Sequence, residues 1–573
     1  MLSRFALVST PLVLLFATGA CGDDSAGSGA GSSTSSTGTG GAGGQGGTGG
    51  GGATLSNGSD CGNATECMSD FCVDSVCCDT SCDADCESCS SAESLGTCEA
   101  AQAGTADDAC GALGCSGEAG ACMAAHIWST SFGGTEWDDA VRVVIDAQTP
   151  GLVVLGNYGS ESASFGGPAH TNQGTGNFDI FLTKFDLDGT HLWSKSYGGT
   201  GSDSGHGLAT SADGSIFVSG SFSSTPFDIG GATLGHAGSH DAFLGKIDAS
   251  GNHVWSKSFG GTVADSAEAL AVDNEGNVAV VGSYQSSSIN LGGATLTNAS
   301  VPSSDIFLGK FSSGGTHIWS KSFGGNQGDY GSALAFDSAG NLYLFGTIRS
   351  TTITFGGAVL TNTGGLDSYD LYLAKFDPSG NHLWSKSFGD DSAEGAAHAS
   401  SLALAPDGNL LLTGRFKSAG FVLAGTPLTN NGNNTNDIFL AKFDTSGNGL
   451  WAKSFGGTDD DYAEQVAVDN SNAIVLFGSV NSTSVDFGGS VLSNATPGDG
   501  ELYVAKFDSD GGHIWSLIFE GTDWDFVGGG AVDATGFSYA AVGFMSPTIN
   551  FGGDPLVNLG SGSADPALFK LAP

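Results

Sequence analysis

From residue 126 onward, short apolar runs alternate with glycine- and asparagine-rich turns at a fixed period. The segment from His317 reads His-Ile-Trp-Ser-Lys-Ser-Phe-Gly-Gly, and similar segments surround six further tryptophans. The successive tryptophans lie 65, 62, 64, 65, 67 and 64 residues apart and are Trp128, Trp193, Trp255, Trp319, Trp384, Trp451 and Trp515. A period of this size indicates one supersecondary unit that is repeated along the chain.

One unit, residues 261–325, predicts four antiparallel strands. The first three are expected at 269–273, 278–284 and 305–311, and the fourth carries Trp319. The segment 289–296 predicts an inserted hairpin, in which Gly292 and Gly293 suit a two-residue turn. No amphipathic helix of useful length is predicted in 126–573.

A four-stranded repeat of this kind predicts an all-β fold, the β-propeller, with one blade per unit. Six complete units end at the tryptophans from Trp193 to Trp515, and only three strands follow the last of them. The unpaired strand at 126–132 supplies the missing fourth strand by pairing with 567–571. The strand count therefore predicts a seven-bladed propeller over 126–573, closed by its N-terminal strand so that no open edge remains.

The N-terminus predicts export. Arg4 precedes a short apolar run that is too short to span a bilayer, and residues 1–20 are interpreted as a signal peptide. The sequence Thr18-Gly19-Ala20-Cys21 resembles the bacterial lipoprotein signal, although Thr18 stands where leucine is usual. The resemblance implies lipidation of Cys21; an ordinary secretory signal is the alternative.

Two segments separate Cys21 from the repeats. Residues 21–57 are rich in glycine, serine and threonine, and they predict a flexible tether. Residues 58–125 carry twelve cysteines and few large apolar side chains, so disulfides are expected to replace a core, with zinc as the rival interpretation. The expected disulfide cysteines are Cys61, Cys67, Cys72, Cys77, Cys78, Cys82, Cys86, Cys89, Cys98, Cys110, Cys115 and Cys122.

The charge limits the partners. The 573 residues contain 60 Asp and Glu but only 17 Lys and Arg, which gives a net charge of -43. Binding of nucleic acid needs a basic patch, so nucleic acid is excluded as an expected partner. Self-repulsion between such surfaces favours a monomer.

One repeated acidic position is the candidate cation site. A carboxylate precedes each predicted first strand, and first strands line the channel of a propeller, so these side chains are expected to converge on one mouth. They either cap loops or bind a hard cation such as Ca²⁺ weakly. The residues are Asp138, Asp203, Asp265, Asp329, Glu394, Asp461 and Asp525.

Two further repeated side chains are expected to be structural. Histidines occur two positions before most of the tryptophans, one per blade on the outermost strand, too far apart to share a metal ion. A lysine lies in each third strand, and we expect it to pair with the Asp or Glu that begins that strand. The inserted hairpins and the variable loops after them, 173–178, 237–240, 299–304, 363–369, 431–436 and 495–500, are expected to surround the acidic mouth.

The repeat resembles the bacterial β-propeller repeat family of secreted proteins. The likeness rests on the loop Gly-Gly-Thr-x-x-Asp, as at 133–138, on the turn Asp-x-x-Gly-Asn, and on Asp-x-Phe-Leu-x-Lys-Phe before the tryptophan. The cysteine-rich segment resembles modules that precede repeat domains in secreted myxobacterial proteins. These resemblances imply a propeller and no particular chemistry.

No catalytic motif for acyl, phosphoryl or metal-assisted chemistry is found. The expected function is a non-catalytic binding or adhesion module on a lipid-anchored protein of the cell envelope, with a glycan or a protein as ligand and no required cofactor beyond weakly bound Ca²⁺. A structural or assembly component of the envelope is the alternative, and a polysaccharide-acting enzyme is a third. Fold alone does not choose among them.

Overall fold

The computed structural model describes residues 126–364, 368–389, 398–432, 434–560 and 562–573, with only the backbone of 398 and 399. Before residue 126 it describes the backbone of six short strands, which pair as Cys72–Val73 with Val76–Cys77, Glu87–Ser88 with Glu99–Ala100, and Leu113–Cys115 with Cys122–Ala124. Cys21 and the side chains of the twelve other cysteines lie outside the described residues. No helix long and apolar enough to cross a membrane occurs in the described part of the chain.

The repeats fold into seven antiparallel four-stranded sheets, which are the blades of a β-propeller. Blade one contains Asp138–Asp146, Gly151–Tyr158, Asp179–Phe185 and His191–Tyr197. Blade two contains Asp203–Thr210, Ile216–Phe222, Asp241–Ile247 and His253–Phe259, and blade three contains Asp265–Val272, Val278–Tyr284, Asp305–Phe311 and His317–Phe323. Blade four contains Tyr330–Phe336, Leu342–Ile348, Asp370–Phe376 and His382–Phe388, and blade five contains His398–Leu404, Leu410–Phe416, Asp437–Phe443 and Gly449–Phe455. Blade six contains Asp461–Val468, Ile474–Val480, Glu501–Phe507 and His513–Phe519.

The seventh blade closes the ring, as the strand count predicts. It contains Asp525–Val532, Ser538–Phe544 and Asp565–Leu571, and its fourth strand is the N-terminal His126–Ser131. Leu568 pairs with Thr130, and Phe569 pairs with Ser129. The second and third strands of each blade are almost wholly buried, because both faces of each blade pack against its neighbours.

A small hairpin follows the second strand of six blades. Its strands are Ser162–Ser164 with Ala169–Thr171, Ser288–Ile289 with Leu296–Thr297, Thr352–Ile353 with Leu360–Thr361, Val422–Leu423 with Thr426–Pro427, Ser484–Val485 with Leu492–Ser493, and Thr548–Ile549 with Leu556–Val557. In blade two a single bridge joins Phe227 and Leu234. In blade three the ladder ends at the pair Ile289–Leu296, so the expected two-residue turn is wrong and residues 290–295 form the loop.

The hairpins lie against the outermost strands of their blades, not around the channel mouth as expected. The reason is a contact between the two repeated features. In blade three, the ring of His317 occupies the space that a Cβ on Gly293 would need. The same contact joins Gly167 to His191, Gly231 to His253, Gly357 to His382, Gly489 to His513 and Gly553 to His126. The histidines are therefore structural, and each one holds a hairpin.

Six of the seven third-strand lysines pair with an acid, but the expected partner is wrong. Lys310 pairs with Asp273, in the tight turn between the first and second strands, at 2.8 Å. Asp305 begins the same strand as Lys310 and lies five residues away, about 16 Å at strand spacing. Five other lysines pair with the same turn: Lys184 with Asp146, Lys246 with Asp213, Lys375 with Asp337, Lys442 with Asp407 and Lys506 with Asp469. Lys570 of blade seven instead lies over the ring of Phe537.

Neighbouring blades are joined at both ends of their strands. On the side of the longer loops, the backbone N–H of Asp203 donates to the carbonyl of Phe178 in the preceding blade, at 2.7 Å. On the side of the tight turns, the indole Nε1 of Trp319 donates to the carbonyl of Pro378 in the next blade, at 3.1 Å. The loops before first strands and the loops after second strands thus share one side of the propeller, as predicted.

Candidate functional site

The six described carboxylates of the candidate cation site are loop caps buried in their own blades. Asp138 accepts hydrogen bonds from the N–H groups of Gly134, Gly159 and Ser160 and from the hydroxyl of Ser160. Its counterparts make the same bonds with the serine that follows the second strand of the blade, and they are at most 1 % exposed: Asp203, Asp265, Asp329, Asp461 and Asp525.

These carboxylates do not converge on the channel mouth, so that expectation is wrong. Each side chain points into the loops of its own blade, because the hydrogen-bond donors lie there. No three His, Cys, Asp or Glu side chains lie close enough together to hold one metal ion in the part of the chain that the structure describes. Cation binding by this set stays a prediction.

Glu394 lies outside the described residues. The register of blade five nevertheless bears on its assignment, because His398 pairs with Arg415 in the way that Tyr330 pairs with Thr347 in blade four. Asp329 directly precedes Tyr330, whereas Ala397 directly precedes His398 in the sequence. Ala397 is therefore the residue of blade five that aligns with Asp329, and Glu394 lies three positions before it.

The serines and a set of asparagines that hold these loops escaped the sequence analysis. Asn298 donates from Nδ2 to the carbonyls of Tyr284 and Ser303, and so it fixes the loop between the hairpin and the third strand. Equivalent bonds are made by Asn172, Asn362, Asn430, Asn494 and Asn558. The repeated pair of a hydroxyl residue or small residue followed by Asn was the sequence signal. The loops expected to be variable are therefore anchored at both ends.

The innermost strand of every blade contains a β-bulge at one position. In blade three, Ala267 pairs with Gly282 and Ala269 with Val281, which leaves Glu268 as the extra residue. Bulges turn a side chain out of the regular alternation and are common beside functional sites. The seven extra residues, named here the bulge ring, are Val141, His206, Glu268, Ser332, Ser400, Glu464 and Gly528.

The bulge ring surrounds the channel, because first strands of adjacent blades pack against one another around the axis. His206 Nδ1 lies 3.5 Å from a carboxylate oxygen of Glu268 and 3.1 Å from the hydroxyl of Ser266 in the next blade. The ring thus contains an aliphatic side chain, an imidazole, two carboxylates and two hydroxyls at one position of a repeated scaffold. Nothing in the strand pattern marks this position as special, so sequence reasoning missed it.

The ring has an arginine beside it. Arg142 follows Val141 and is 2 % exposed; its Nη1 donates to the carbonyls of Val141 and Gly528, at 2.8 and 2.9 Å. A Cβ on Gly528 would lie 1.8 Å from the carbonyl oxygen of Ala140, so glycine at this position lets the first strands of blades one and seven approach each other closely. Burial lowers the pKa of Arg142 to about 9, against the opposing effect of the Glu464 and Glu268 carboxylates. Burial also raises the pKa of Glu464, which Arg415 and Arg142 oppose.

Aromatic side chains and a second arginine lie above the bulge ring on the loop side. The guanidinium of Arg415 lies 5.0 Å from the ring centre of Tyr462, and Trp137 stacks on Phe526 with 6.0 Å between ring centres and 13° between planes. Trp524 is 54 % exposed. Blades two and three carry only Ser204 and Ser266 at the corresponding strand position. The mouth is therefore asymmetric, although the scaffold repeats.

Buried groups of perturbed pKa in a channel, with aromatic and cationic side chains at its mouth, form the best candidate site in the described residues. This site can bind a ligand that offers polar groups to Arg415 and Glu464 and flat surfaces to the aromatic rings.

Comparison with known proteins supports the fold. No family model matches the chain, so membership of the bacterial β-propeller repeat family stays a prediction. A WD repeat-containing protein, L264 of Acanthamoeba polyphaga mimivirus, is 24% identical over 446 residues, which are 64% of this chain and 32% of that protein. The regulatory protein FlaEY of Caulobacter vibrioides is 32% identical over 228 residues, 37% of this chain and 23% of its own length. The chain thus spans at most about a third of these relatives.

Among solved structures, Sqt1 from Chaetomium thermophilum has a TM-score of 0.37 at 11% sequence identity, with 78% of this chain and 98% of that chain covered. The Neurospora crassa Pan2 WD40 domain has a TM-score of 0.33 at 10% identity, with 76% and 89% covered.

Proposed function

We propose that the propeller is a non-catalytic binding module that takes its ligand at the channel mouth and the bulge ring. The observation that carries the proposal is the chemical variety of the bulge ring. Scaffold positions such as the capping aspartates and the third-strand lysines are nearly constant from blade to blade, whereas Val141, His206 and Glu464 share nothing but their place. Variation at one position of a constant scaffold is where binding specificity is normally built.

The ligand class is a glycan or another protein. The half-buried ring of Tyr462 beside Arg415 and the stacked rings of Trp137 and Phe526 suit either a sugar with acidic substituents or a peptide segment with acidic and apolar side chains. The proposal needs no cofactor and no catalytic group.

We further place this module outside the cytoplasm, anchored by a lipid on Cys21 and raised on the 21–57 tether. The sequence of residues 18–21 and the twelve cysteines at 61–122 support this part. Mass spectrometry of protein purified from its native host tests it: an acylated N-terminal Cys21 and no alkylatable thiol without reductant are expected. A Cys21 that carries no lipid on its sulfur, or several free thiols, would contradict it.

The experiment for the binding role uses the full chain on a glycan array and, in parallel, as bait for envelope proteins cross-linked on intact cells. Saturable binding that is lost in Arg415→Ala and retained in Asp510→Asn supports the mouth as the site. Asp510 lies in a tight turn on the opposite side of the propeller, so it is the matched control. Binding that is insensitive to both changes contradicts it, and turnover of a bound polysaccharide that disappears in Glu464→Gln would favour the enzyme instead.

A further inference from the structure

A second ring of acids lies at the seams between blades. The first residue of each third strand is an acid that is at most 4 % exposed: Asp179, Asp241, Asp305, Asp370, Asp437, Glu501 and Asp565. One oxygen of each described aspartate accepts an N–H from the loop before its strand, as Asp437 does from Asn431 at 2.8 Å. These acids therefore hold the loops after the hairpins.

All of these acids except Asp370 face the capping aspartate of the next blade across a glycine. A Cβ on Gly133 would lie 3.0 Å from Oδ1 of Asp565 and 3.1 Å from Oδ2 of Asp138, so both carboxylates border the same small space. The following residue, Gly134, donates its N–H to Asp138 at 2.7 Å. The same arrangement recurs at Gly456 and Gly457, between Asp437 and Asp461. Gly-Gly follows the fourth strand in blades one, two, three, five and seven, and there it separates two buried acids.

The two acids of a seam are not equally satisfied. Asp461 accepts four hydrogen bonds, from Gly457, Asn481 and twice from Ser482. By contrast, Oδ1 of Asp437 is buried and has no hydrogen-bond partner among the described residues. The same oxygen is without a described partner in Asp179, Asp241, Asp305 and Asp565. Five seams therefore contain two buried carboxyl groups and too few donors for both to be ionised.

Few charged groups face these pairs. The titratable neighbours are mostly tyrosines: Tyr158 beside Asp138 and Asp179, Tyr284 beside Asp265 and Asp305, Tyr372 and Tyr330 beside Asp329, and Tyr503 beside Asp461. Arg349 lies beside Tyr330 and donates its backbone N–H to Asp329, and Arg415 lies over Tyr462, the residue after Asp461. His236 and His240 face the pair Asp241 and Asp265. No ion pair joins a lysine or arginine to a seam acid among the described residues.

The geometry points to one bound proton in each of these five seams, carried by the unpartnered oxygen of the third-strand aspartate, which makes the propeller a proton-binding, pH-sensitive ring. A metal ion fits poorly, because the unpartnered oxygen lies against the glycine backbone and the facing aspartate already has its donors. Removal of the protons leaves two negative charges in each buried seam, which like-charge repulsion disfavours.

Burial raises the pKa of both acids of each seam, as for Asp437 and Asp461, and these directions agree with one bound proton per seam. Burial, and then repulsion from Asp461, raises the pKa of Asp437 to about 7, against the hydrogen bond from Asn431. Burial raises the pKa of Asp565 to about 7 and of Asp305 to about 6. A pKa that is higher in the folded state than in the unfolded chain means that the folded state holds the proton more tightly. Stability from these groups is complete below pH about 4 and is lost as the pH rises through about 6 to 7.

Blade six contains a natural control. Glu501 stands in place of aspartate, and both of its oxygens have donors, the hydroxyl of Thr496 and the N–H of Gly521. Its longer side chain reaches donors that the aspartates do not reach. An amide at Glu501 would lose one of these bonds, whereas an amide at Asp437 imitates the protonated acid.

The test is the melting temperature of the full chain, followed from about pH 5 to about pH 8. The parent is expected to melt at a lower temperature at the higher pH. Asp437→Asn is expected to match the parent at the lower pH and to melt roughly 2 °C above it at the higher pH, while Glu501→Gln melts lower at both. The infrared carbonyl band of protonated carboxyl groups should be present at the lower pH and reduced in Asp437→Asn.

Three results would overturn the proposal. The first is a parent melting temperature that does not fall with pH. The second is Asp437→Asn melting below the parent at the higher pH. The third is a Ca²⁺ effect: millimolar Ca²⁺ raises the parent's melting temperature at the higher pH, and Asp437→Asn abolishes this rise. A cation, and not a proton, would then neutralise the seam.

Discussion

The ring of His317 fills the space beside Gly293, and in blade five the histidine and the preceding glycine of the hairpin loop, Gly292 in blade three, are both replaced. Gly449 stands in the place of the histidine, and Ala424, at a φ of 53°, stands in the place of Gly292 and fills the space that a Cβ on Gly449 would need. Blade five is thus the one blade whose fourth strand begins with a glycine and not a histidine. The strand keeps its register, because Gly449 pairs with Phe443 as His317 pairs with Phe311. The outer strand and the inserted hairpin form one packing unit in every blade.

The contact makes a specific prediction for blade three. Gly293→Ala should reduce the free energy of unfolding by about 1–3 kcal/mol, because the new methyl group must displace the imidazole ring. His317→Gly in the same chain should restore part of the loss, because it removes the ring that the new methyl group would meet. Denaturant unfolding of the two single variants and the double variant measures the coupling.

Gly314→Ala is the matched control, because the nearest described atom lies 3.9 Å from the added Cβ. It should change stability little. If the effects of Gly293→Ala and His317→Gly simply add, the two residues are not one packing unit.

Closure by the N-terminal strand predicts a large effect of a small deletion. Removal of residues 126–132 takes away the partner of Asp565–Leu571 and exposes the edge of blade seven. The melting transition should become broader and should shift to lower temperature. Deletion of an equal number of residues from the 21–57 linker should leave the transition unchanged, and equal effects of the two deletions would contradict closure.

The lysine ion pairs should differ in strength according to burial. Lys310 and Asp273 are 5 and 6 % exposed and 2.8 Å apart, so Lys310→Met should cost about 3–5 kcal/mol by leaving a buried carboxylate unpaired. Lys246 lies 3.9 Å from Asp213, which is 67 % exposed, and Lys246→Met should cost much less. Unfolding of both variants in urea provides the comparison.

The Lys310 pair also predicts a pH dependence opposite to that of the seams. Hydrogen bonds from Lys310 and Asn277, together with the lysine charge, lower the pKa of Asp273 despite its burial. Its contribution is therefore present above the unfolded pKa of about 4 and is lost as the pH falls through the lower folded value. Parent and Lys310→Met should converge in stability in acid; a constant difference down to acid pH would argue against the ion pair.

The hydrogen bonds that indole N–H groups donate to the next blade predict that Trp319 and Trp515 respond differently to substitution by phenylalanine. Trp319 donates to Pro378, but Nε1 of Trp515 is buried without a partner among the described residues. In blade seven the fourth strand is the N-terminal His126–Ser131, so no turn between a third and a fourth strand faces Trp515 among the described residues. Trp319→Phe should cost about 1 kcal/mol more than Trp515→Phe in denaturant unfolding. Equal losses would contradict this explanation.

The fold could be predicted from the sequence because period and alternation are local signals. The second and third strands of blade three, Val278–Tyr284 and Asp305–Phe311, begin and end as expected. The first strand begins four residues earlier than expected, at Asp265, because the bulge at Glu268 breaks the apolar pattern. An extra residue in one strand is visible only when the partner strand is known.

The candidate site was less predictable, because it depends on which blades meet. Asp461 was recognised as a repeated acid, but its neighbour Asp437 belongs to another blade and lies 24 positions earlier. Lys310 was assigned to the wrong acid for the converse reason: Asp305 is close in sequence but lies at the other end of the strand. Sequence repeats reveal which positions of the blades are equivalent. To predict which residues of neighbouring blades touch, the curvature of the ring must also be known.

The most direct test of the binding role replaces the bulge residue of one blade with the bulge residue of another. In Glu464→Ser the bulge residue of blade six becomes the residue that blades four and five already carry, so the fold is expected to tolerate it. The measurement is the equilibrium affinity of the full chain for the ligand found by array or cross-linking, with the melting temperature measured on the same samples. Glu464→Ser is expected to bind the ligand at least tenfold more weakly, a loss of about 1.4 kcal/mol, and to melt at a temperature close to that of the parent. Asp510→Asn is expected to keep the parent's affinity. Unchanged affinity in Glu464→Ser, or a loss in Asp510→Asn alone, would contradict binding at the bulge ring.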